Sequence, residues 1–129
     1  MKQHRILLIE DNQFNREIAS LSLKKAGFVV IEAENGREGL EALQAERPDL
    51  VVLDLSLPDI SGWDIIKKIR EDESSPPVPV IVLTAHAMVG DREKAIRMGC
   101  SSYLTKPCLP EKLVDEVRSF LPDETGKKS

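Results

Sequence analysis

Five polar residues that could carry out metal or phosphoryl chemistry stand where short apolar runs of the chain end. Glu10 and Asp11 follow the first run, Asp54 follows the third, Thr84 closes the fourth, and Lys106 follows a weaker fifth. Carboxylates held close together repel one another, so at neutral pH one is protonated or a hard cation neutralises them. The acidic residues are therefore the first candidates for a functional site.

Mg²⁺ is the cation that suits such a site, because it favours oxygen ligands and takes only one or two carboxylates beside water and phosphate oxygens. A lysine and a threonine hydroxyl add a positive charge and a donor for an anion. A transferred phosphoryl group needs this combination, since its transition state spreads negative charge over three oxygens. Asp54 is the expected nucleophile, because an aspartate can form an acyl phosphate.

The apolar runs that precede these residues lack alternation, which predicts strands buried on both faces of a parallel sheet. The predicted strands are residues 6–9, 29–31, 50–53, 80–83 and, as a polar-flanked edge strand, 103–104. Helical spacing appears between them, as at Phe14, Ile18 and Leu21, with Asp11 or Asn12 available as the cap. Further helices are predicted at about 36–45, 62–70 and 89–98, and from residue 110 onward.

Strict alternation of strand and helix predicts an α/β fold with a doubly wound, five-stranded parallel sheet. The carboxyl ends of parallel strands share one edge, where such folds bind ligands. Each polar residue taken singly could simply cap a helix or lie in a loop, but five at one edge favour a site. The sequence shows no repeat, linker or second domain.

Composition excludes several other classes of protein. The chain has 129 residues, 41% of them hydrophobic and 31% charged, which excludes disorder, and it has no apolar run of membrane-spanning length. A net charge of -4 argues against nucleic acid as the partner. The amino terminus lacks a secretory signal, and Cys100 and Cys108 form no disulfide framework, so we expect a cytoplasmic protein with reduced thiols.

Four segments in this order resemble the receiver domain of bacterial two-component response regulators. They are Ile9-Glu10-Asp11-Asn12, Leu53-Asp54-Leu55-Ser56-Leu57-Pro58-Asp59-Ile60-Ser61-Gly62, Leu83-Thr84-Ala85 and Leu104-Thr105-Lys106-Pro107. The resemblance covers about residues 4–121 and implies a flavodoxin-like (βα)5 fold with strand order 2-1-3-4-5. We accordingly expect a receiver domain over residues 1–121 and a flexible tail over residues 122–129.

The resemblance also implies roles for the residues of the site. Asp54 would accept a phosphoryl group from a phosphohistidine on a histidine kinase or a histidine phosphotransfer protein. Lys106 would contact the phosphoryl group, aimed at the site by a cis bond to Pro107. The implied magnesium ligands are three carboxylates and one backbone carbonyl, those of Glu10, Asp11, Asp54 and Ser56.

Four further positions match those that relay or time the signal in such receivers. Thr84 would bond the phosphoryl group in the active state, and Tyr103 is the aromatic residue that turns inward when the threonine moves. Ser56 and His86 are the variable positions that tune how fast the acyl phosphate is hydrolysed. The signal would reach a protein target through the fourth helix, fifth strand and fifth helix.

The leading interpretation is thus a phosphorylation-controlled switch that catalyses only its own phosphorylation and dephosphorylation. The same chemistry would serve a phosphorelay intermediate or a receiver excised from a hybrid kinase, and the sequence does not separate these. A flavodoxin-like cofactor module is disfavoured because the loop after the first strand is acidic, whereas a flavin phosphate requires hydrogen-bond donors there. An aspartyl-phosphate hydrolase would need an acid at position 56, and an inert scaffold would not need all five polar residues.

Overall fold

Five strands and five helices alternate along the chain in the computed structural model, which describes residues 3–72, 77–85 and 87–121. The strands are β1 (Arg5–Ile9), β2 (Val29–Ala33), β3 (Leu50–Leu53), β4 (Val80–Thr84) and β5 (Ser102–Thr105). The helices are α1 (Gln13–Lys25), α2 (Gly36–Glu46), α3 (Gly62–Glu71), α4 (Asp91–Met98) and α5 (Pro110–Phe120). None of the helices in these ranges is long and apolar enough to cross a membrane.

The strands form one parallel sheet in the order β2-β1-β3-β4-β5, which confirms the predicted fold and topology. β1 and β3 are neighbours, and Ile9 pairs with Leu53 at their carboxyl ends. Glu10 and Asp54 follow these paired residues directly, so they leave adjacent strands at the same level. The predicted tail at residues 122–129 lies outside the described residues.

Both faces of the sheet are covered by helices. Successive strand residues point to opposite faces, so Leu7 and Ile9 belong to one apolar cluster while Ile6 and Leu8 belong to the other. Helices α2, α3 and α4 pack on the first face, and α1 and α5 pack on the second. Burial on both sides explains why the strands read as uninterrupted apolar runs.

The helix α1 exposes the apolar residues whose spacing predicted it. Phe14, Ile18 and Leu21 are 70%, 38% and 56% exposed, whereas Ser20 and Leu23 are buried against the sheet. An apolar stripe on a helix ordinarily faces the core. Here the stripe faces outward and leaves an apolar surface beside the carboxyl edge of the sheet.

The helix α4 begins later than the sequence predicted, at Asp91 instead of near residue 89. Gly90 has a φ of 90°, a left-handed conformation that an α-helix cannot continue through. The backbone N–H of Met88 is bonded to the Asp91 carboxylate at 2.9 Å, which closes this turn. Met88 and Val89 are therefore left exposed on the connection after β4.

The helix α2 approaches β1 closely at Gly39. A Cβ atom at this position would lie 2.5 Å from Ile9 Cδ1 and 2.9 Å from Ile9 Cγ1. Ile9 is itself buried in the core, so it has little freedom to move aside. Glycine is therefore required here by packing, because the backbone of α2 lies directly against the side chain of a strand residue.

We expect Gly39→Ala to lower the free energy of unfolding by about 1–3 kcal/mol through overpacking. This loss should exceed the gain of roughly 1 kcal/mol that alanine brings to a helix interior. Ile9→Val removes the nearest atom, so the double variant should lose less than the sum of the two single variants. Equilibrium unfolding in urea measures all three, and an additive double variant would contradict the packing argument.

Candidate functional site

The predicted carboxylates come together at the carboxyl edge of the sheet. One oxygen each from Glu10, Asp11 and Asp54 lies within 4.8 Å of the others. Glu10 and Asp54 are buried, while Asp11 is exposed at the mouth of the group. Oxygen donors at this spacing, with one side open to solvent, suit a hard divalent cation that keeps several waters.

Lys106 reaches into the same group from the loop after β5. Its Nζ donates to Glu10 Oε1 at 2.6 Å and to Asp54 Oδ2 at 2.9 Å. The backbone N–H of Lys106 donates to the carbonyl of Thr84 at 2.8 Å, which fixes the start of this loop on the end of β4. The bond to Pro107 is cis, as the family resemblance implied.

The charges of the group are only partly balanced. Burial raises the pKa of Glu10, and the neighbouring charge of Asp54 adds to the rise, while the Lys106 ammonium opposes it. Burial alone would lower the pKa of Lys106, but its bonds to Glu10 and Asp54 outweigh burial and raise it. Three carboxylates stand beside one ammonium group, so with every group ionised the net charge would be two negative, which the two positive charges of a divalent cation would neutralise.

Both oxygens of Asp54 are held in place. Oδ2 accepts from Lys106, and Oδ1 accepts from the backbone N–H of Ser56 at 2.8 Å. Ser56 itself is exposed in the loop after β3, next to the acidic group. The magnesium role of its carbonyl stays a prediction, as does its influence on hydrolysis.

The acidic loop after β1 is fixed by an arginine that the sequence analysis missed. Arg16 Nη1 donates to the carbonyl of Glu10 at 2.9 Å, and Arg16 Nε lies 3.4 Å from Glu32 Oε1. The backbone N–H of Asn12 also donates to Glu10 Oε2 at 3.2 Å. Asn12 caps α1 through its own side chain, which accepts from the N–H of Asn15. The sequence did offer a signal for this role, because Arg16 lies one turn into the helix that follows the acidic pair Glu10 and Asp11.

Two of the predicted signalling residues lie on neighbouring strands. Thr84 is buried at the end of β4, in register with Thr105 of β5. Tyr103 is buried in the apolar cluster that α4 covers, and its hydroxyl has no hydrogen-bond partner among the described residues. His86, the second position expected to tune hydrolysis, lies outside the described residues.

An open cavity of about 540 Å³ adjoins the acidic group. Glu10, Asp54 and Lys106 line it, together with apolar side chains from the sheet and residues of α1 and α5 such as Ile18 and Leu113. The cavity thus gives the Asp54 carboxylate an approach from outside, between a charged floor and apolar walls. A donor that carries a phosphoryl group could enter here.

Comparison with known proteins gives a consistent assignment. The family model described as the response regulator receiver domain matches residues 6–118. The polar-differentiation response regulator DivK of Brucella anthropi is 33% identical over 118 residues, which span 92% of this chain and 96% of DivK. Receiver domains generally bind Mg²⁺ and interact with a kinase or a phosphotransfer partner.

Solved structures agree with this family. The chemotaxis response regulator CheY4 of Vibrio cholerae superposes with a TM-score of 0.86 at 27% identity, covering 93% of this chain and 100% of CheY4. The BeF3-activated receiver domain of DrrB superposes with a TM-score of 0.84 at 31% identity, covering 95% of this chain and 100% of that domain. The chain therefore belongs to the receiver domains of two-component response regulators and is a phosphoacceptor signalling switch.

Proposed function

We propose that Asp54 is the residue that accepts the phosphoryl group, from a phosphohistidine on a histidine kinase or a histidine phosphotransfer protein. The observation that carries this assignment is the ammonium group of Lys106 bonded to Asp54 and Glu10 inside a group of three carboxylates. A phosphoacceptor needs a nucleophile beside positive charge, and this arrangement supplies both. The cavity beside Asp54 leaves that carboxylate open to a donor.

In the proposed transfer, a carboxylate oxygen of Asp54 attacks phosphorus and forms the O–P bond of an acyl phosphate. The N–P bond of the phosphohistidine breaks, and its electron pair stays on the imidazole nitrogen. Lys106 then bonds a phosphoryl oxygen in place of Asp54 Oδ2. Hydrolysis reverses the modification when water attacks the phosphorus, which releases inorganic phosphate and restores the carboxylate.

Glu10, Asp11, Asp54 and the carbonyl of Ser56 are the proposed ligands of Mg²⁺. When bound, the ion would supply positive charge to the phosphoryl oxygens. The residues present fit it, because their donors are all oxygens and one side of the group is exposed. Ser56 and His86 are the proposed determinants of the lifetime of the acyl phosphate, since they follow the acceptor and Thr84 by two residues each.

The exposed stripe on α1 is the proposed docking surface for the phosphoryl donor. Phe14, Ile18 and Leu21 form this stripe, and Ile18 also lines the cavity that leads to Asp54. Leu109, at the start of α5, is 72% exposed and adds apolar surface after the loop of Lys106. A partner that covers these side chains would bury apolar area while it delivers its phosphohistidine to the cavity.

The proposed output surface is formed by α4, β5 and α5, with Thr84 and Tyr103 as the link to the site. The hydroxyl of Tyr103 is buried and has no bonding partner among the described residues. Movement of the segment after Thr84 toward the phosphoryl group could give this hydroxyl a partner. Met88 and Ile96 expose apolar surface on the same side and are suited to contact a target protein.

The receiver unit is proposed to extend over residues 1–121, slightly beyond the matched residues 6–118. A cytoplasmic location is part of the same proposal, because phosphoryl transfer from a kinase takes place where its nucleotide is supplied. The free thiols of Cys100 and Cys108 fit a reducing compartment.

Incubation with acetyl phosphate and Mg²⁺ should add one phosphoryl group to the protein, because a small acyl phosphate can enter the cavity unaided. Intact-mass measurement detects the gain, and Asp54→Asn should abolish it. Asp49→Asn is the matched control, since Asp49 accepts from the backbone N–H of Arg5 at 2.8 Å at the amino end of β3. A gain that persists in the Asp54 variant would contradict the assignment.

In EDTA at pH 7, Lys106→Met should lower the free energy of unfolding by roughly 3 kcal/mol, because it strands two buried carboxylates. Added Mg²⁺ should recover more stability in this variant than in the wild type. Lys24→Met is the control, because its ammonium lies 3.9 Å from Glu32 on an exposed surface and contributes below about 1 kcal/mol. Equal losses for both variants in urea unfolding would argue against the electrostatic role of Lys106.

Beryllofluoride with Mg²⁺ mimics the phosphoryl group and should change amide exchange from Met88 to Met98 and around Tyr103. The physical reason is the buried Tyr103 hydroxyl, which lacks a partner among the described residues and would gain one in a rearrangement of this side of the domain. Exchange mass spectrometry with and without the mimic measures the change, with Asp54→Asn as the unresponsive control. Unchanged protection in both segments of the wild type would refute the proposed output surface.

A further inference from the structure

The loop that follows Asp54 is tied to a neighbouring helix by one carboxylate. Asp59 lies between β3 and α3, and its Oδ1 accepts from the backbone N–H of Gly36 at 2.7 Å. Its Oδ2 accepts from the backbone N–H of Arg37 at 2.9 Å. These donors open α2, so a single side chain joins the loop to the first turn of a helix 22 and 23 residues earlier.

The helix α2 already has a cap of its own. Asn35 Oδ1 accepts from the N–H of Glu38 at 2.8 Å, and Glu38 Oε1 accepts from the N–H of Glu34 at 3.2 Å. These bonds hold the start of α2 from within residues 34–38. Asp59 accepts the two remaining N–H groups of this turn from outside the segment, so it also joins the start of α2 to the loop to which it belongs.

Two glycines transmit that link along the loop. A Cβ atom at Gly36 would lie 2.8 Å from Ile60 Cβ, so α2 and the tip of the loop are in direct contact. A Cβ atom at Gly62 would lie 2.5 Å from Leu55 Cα, so the two ends of the loop also touch. Contacts at the tip and at the two ends of the loop thus form a continuous path from Asp59 to the residues that follow Asp54.

We propose that Asp59 is a positioning residue for the magnesium and phosphoryl site, because it holds on α2 the loop that presents Ser56 to Asp54. The N–H of Ser56 orients Asp54 Oδ1 at 2.8 Å, and the carbonyl of Ser56 is a proposed metal ligand. The inference rests on the proposed function, since it assigns Asp59 a part in that same site. Supporting groups behind metal ligands commonly change metal affinity when they are removed.

Mg²⁺ affinity of the full chain, measured by titration calorimetry, tests the inference. Asp59→Ala should raise the Kd for Mg²⁺ by about tenfold, the lower end of the range for supporting residues. Asp59→Asn keeps one acceptor oxygen and should show a smaller increase. Asp49→Asn removes a carboxylate that also accepts a backbone N–H, but at the other end of β3, and should lower stability in EDTA without changing the Kd.

Gly36→Ala provides an independent variant in which Asp59 is intact. Its methyl group would push Ile60 and the loop away from α2, so the Kd should rise in the same direction. A Kd in folded Asp59→Ala or Gly36→Ala that equals the wild-type value would overturn the inference and leave the role of Asp54 untouched. Failure of the wild-type chain to bind Mg²⁺ would instead overturn the proposed metal site, and the role of Asp59 with it.

Discussion

Burial of two carboxylates beside one ammonium group is the constraint on which the site depends. Glu10 and Asp54 directly follow Ile9 and Leu53, which pair with each other in β1 and β3. The register of the sheet therefore holds the two carboxylates close together. Like charges at this distance are tolerated because Lys106 bonds both of them from the loop after β5. The fold therefore holds two buried carboxylates against a single ammonium group, which leaves negative charge for a cation to neutralise.

The residues at the strand ends could be located from sequence because a parallel sheet leaves little choice. An uninterrupted apolar run predicts a strand buried on both faces, and the residue after it must emerge at the carboxyl edge. This reasoning located Glu10, Asp11 and Asp54 without any knowledge of the side-chain contacts. The order of the strands, in contrast, came from the family resemblance, since local patterns do not specify which strands are neighbours.

Other features depend on contacts that leave no local pattern. The spacing of Phe14, Ile18 and Leu21 predicts a helix whether these side chains are buried or exposed to solvent. They are exposed because α1 packs on the sheet through Leu23 instead. Asp59 contacts a helix more than 20 residues away, so its sequence neighbourhood reads as an ordinary turn. Propensity and periodicity predict individual helices and strands. Contacts between distant segments, such as that of Asp59 with α2, form only when those segments pack together.

The division of the helices between the two faces of the sheet affects how upstream and downstream proteins can bind this domain. α1 packs on one face and α4 on the other, with the acidic group at the edge between them. An upstream protein seated on α1 and a downstream protein seated on α4 would lie on opposite faces of the sheet, and the two proposed surfaces would share only α5. Simultaneous occupancy would let a signal be handed on inside one ternary assembly, without a free phosphorylated form diffusing between them.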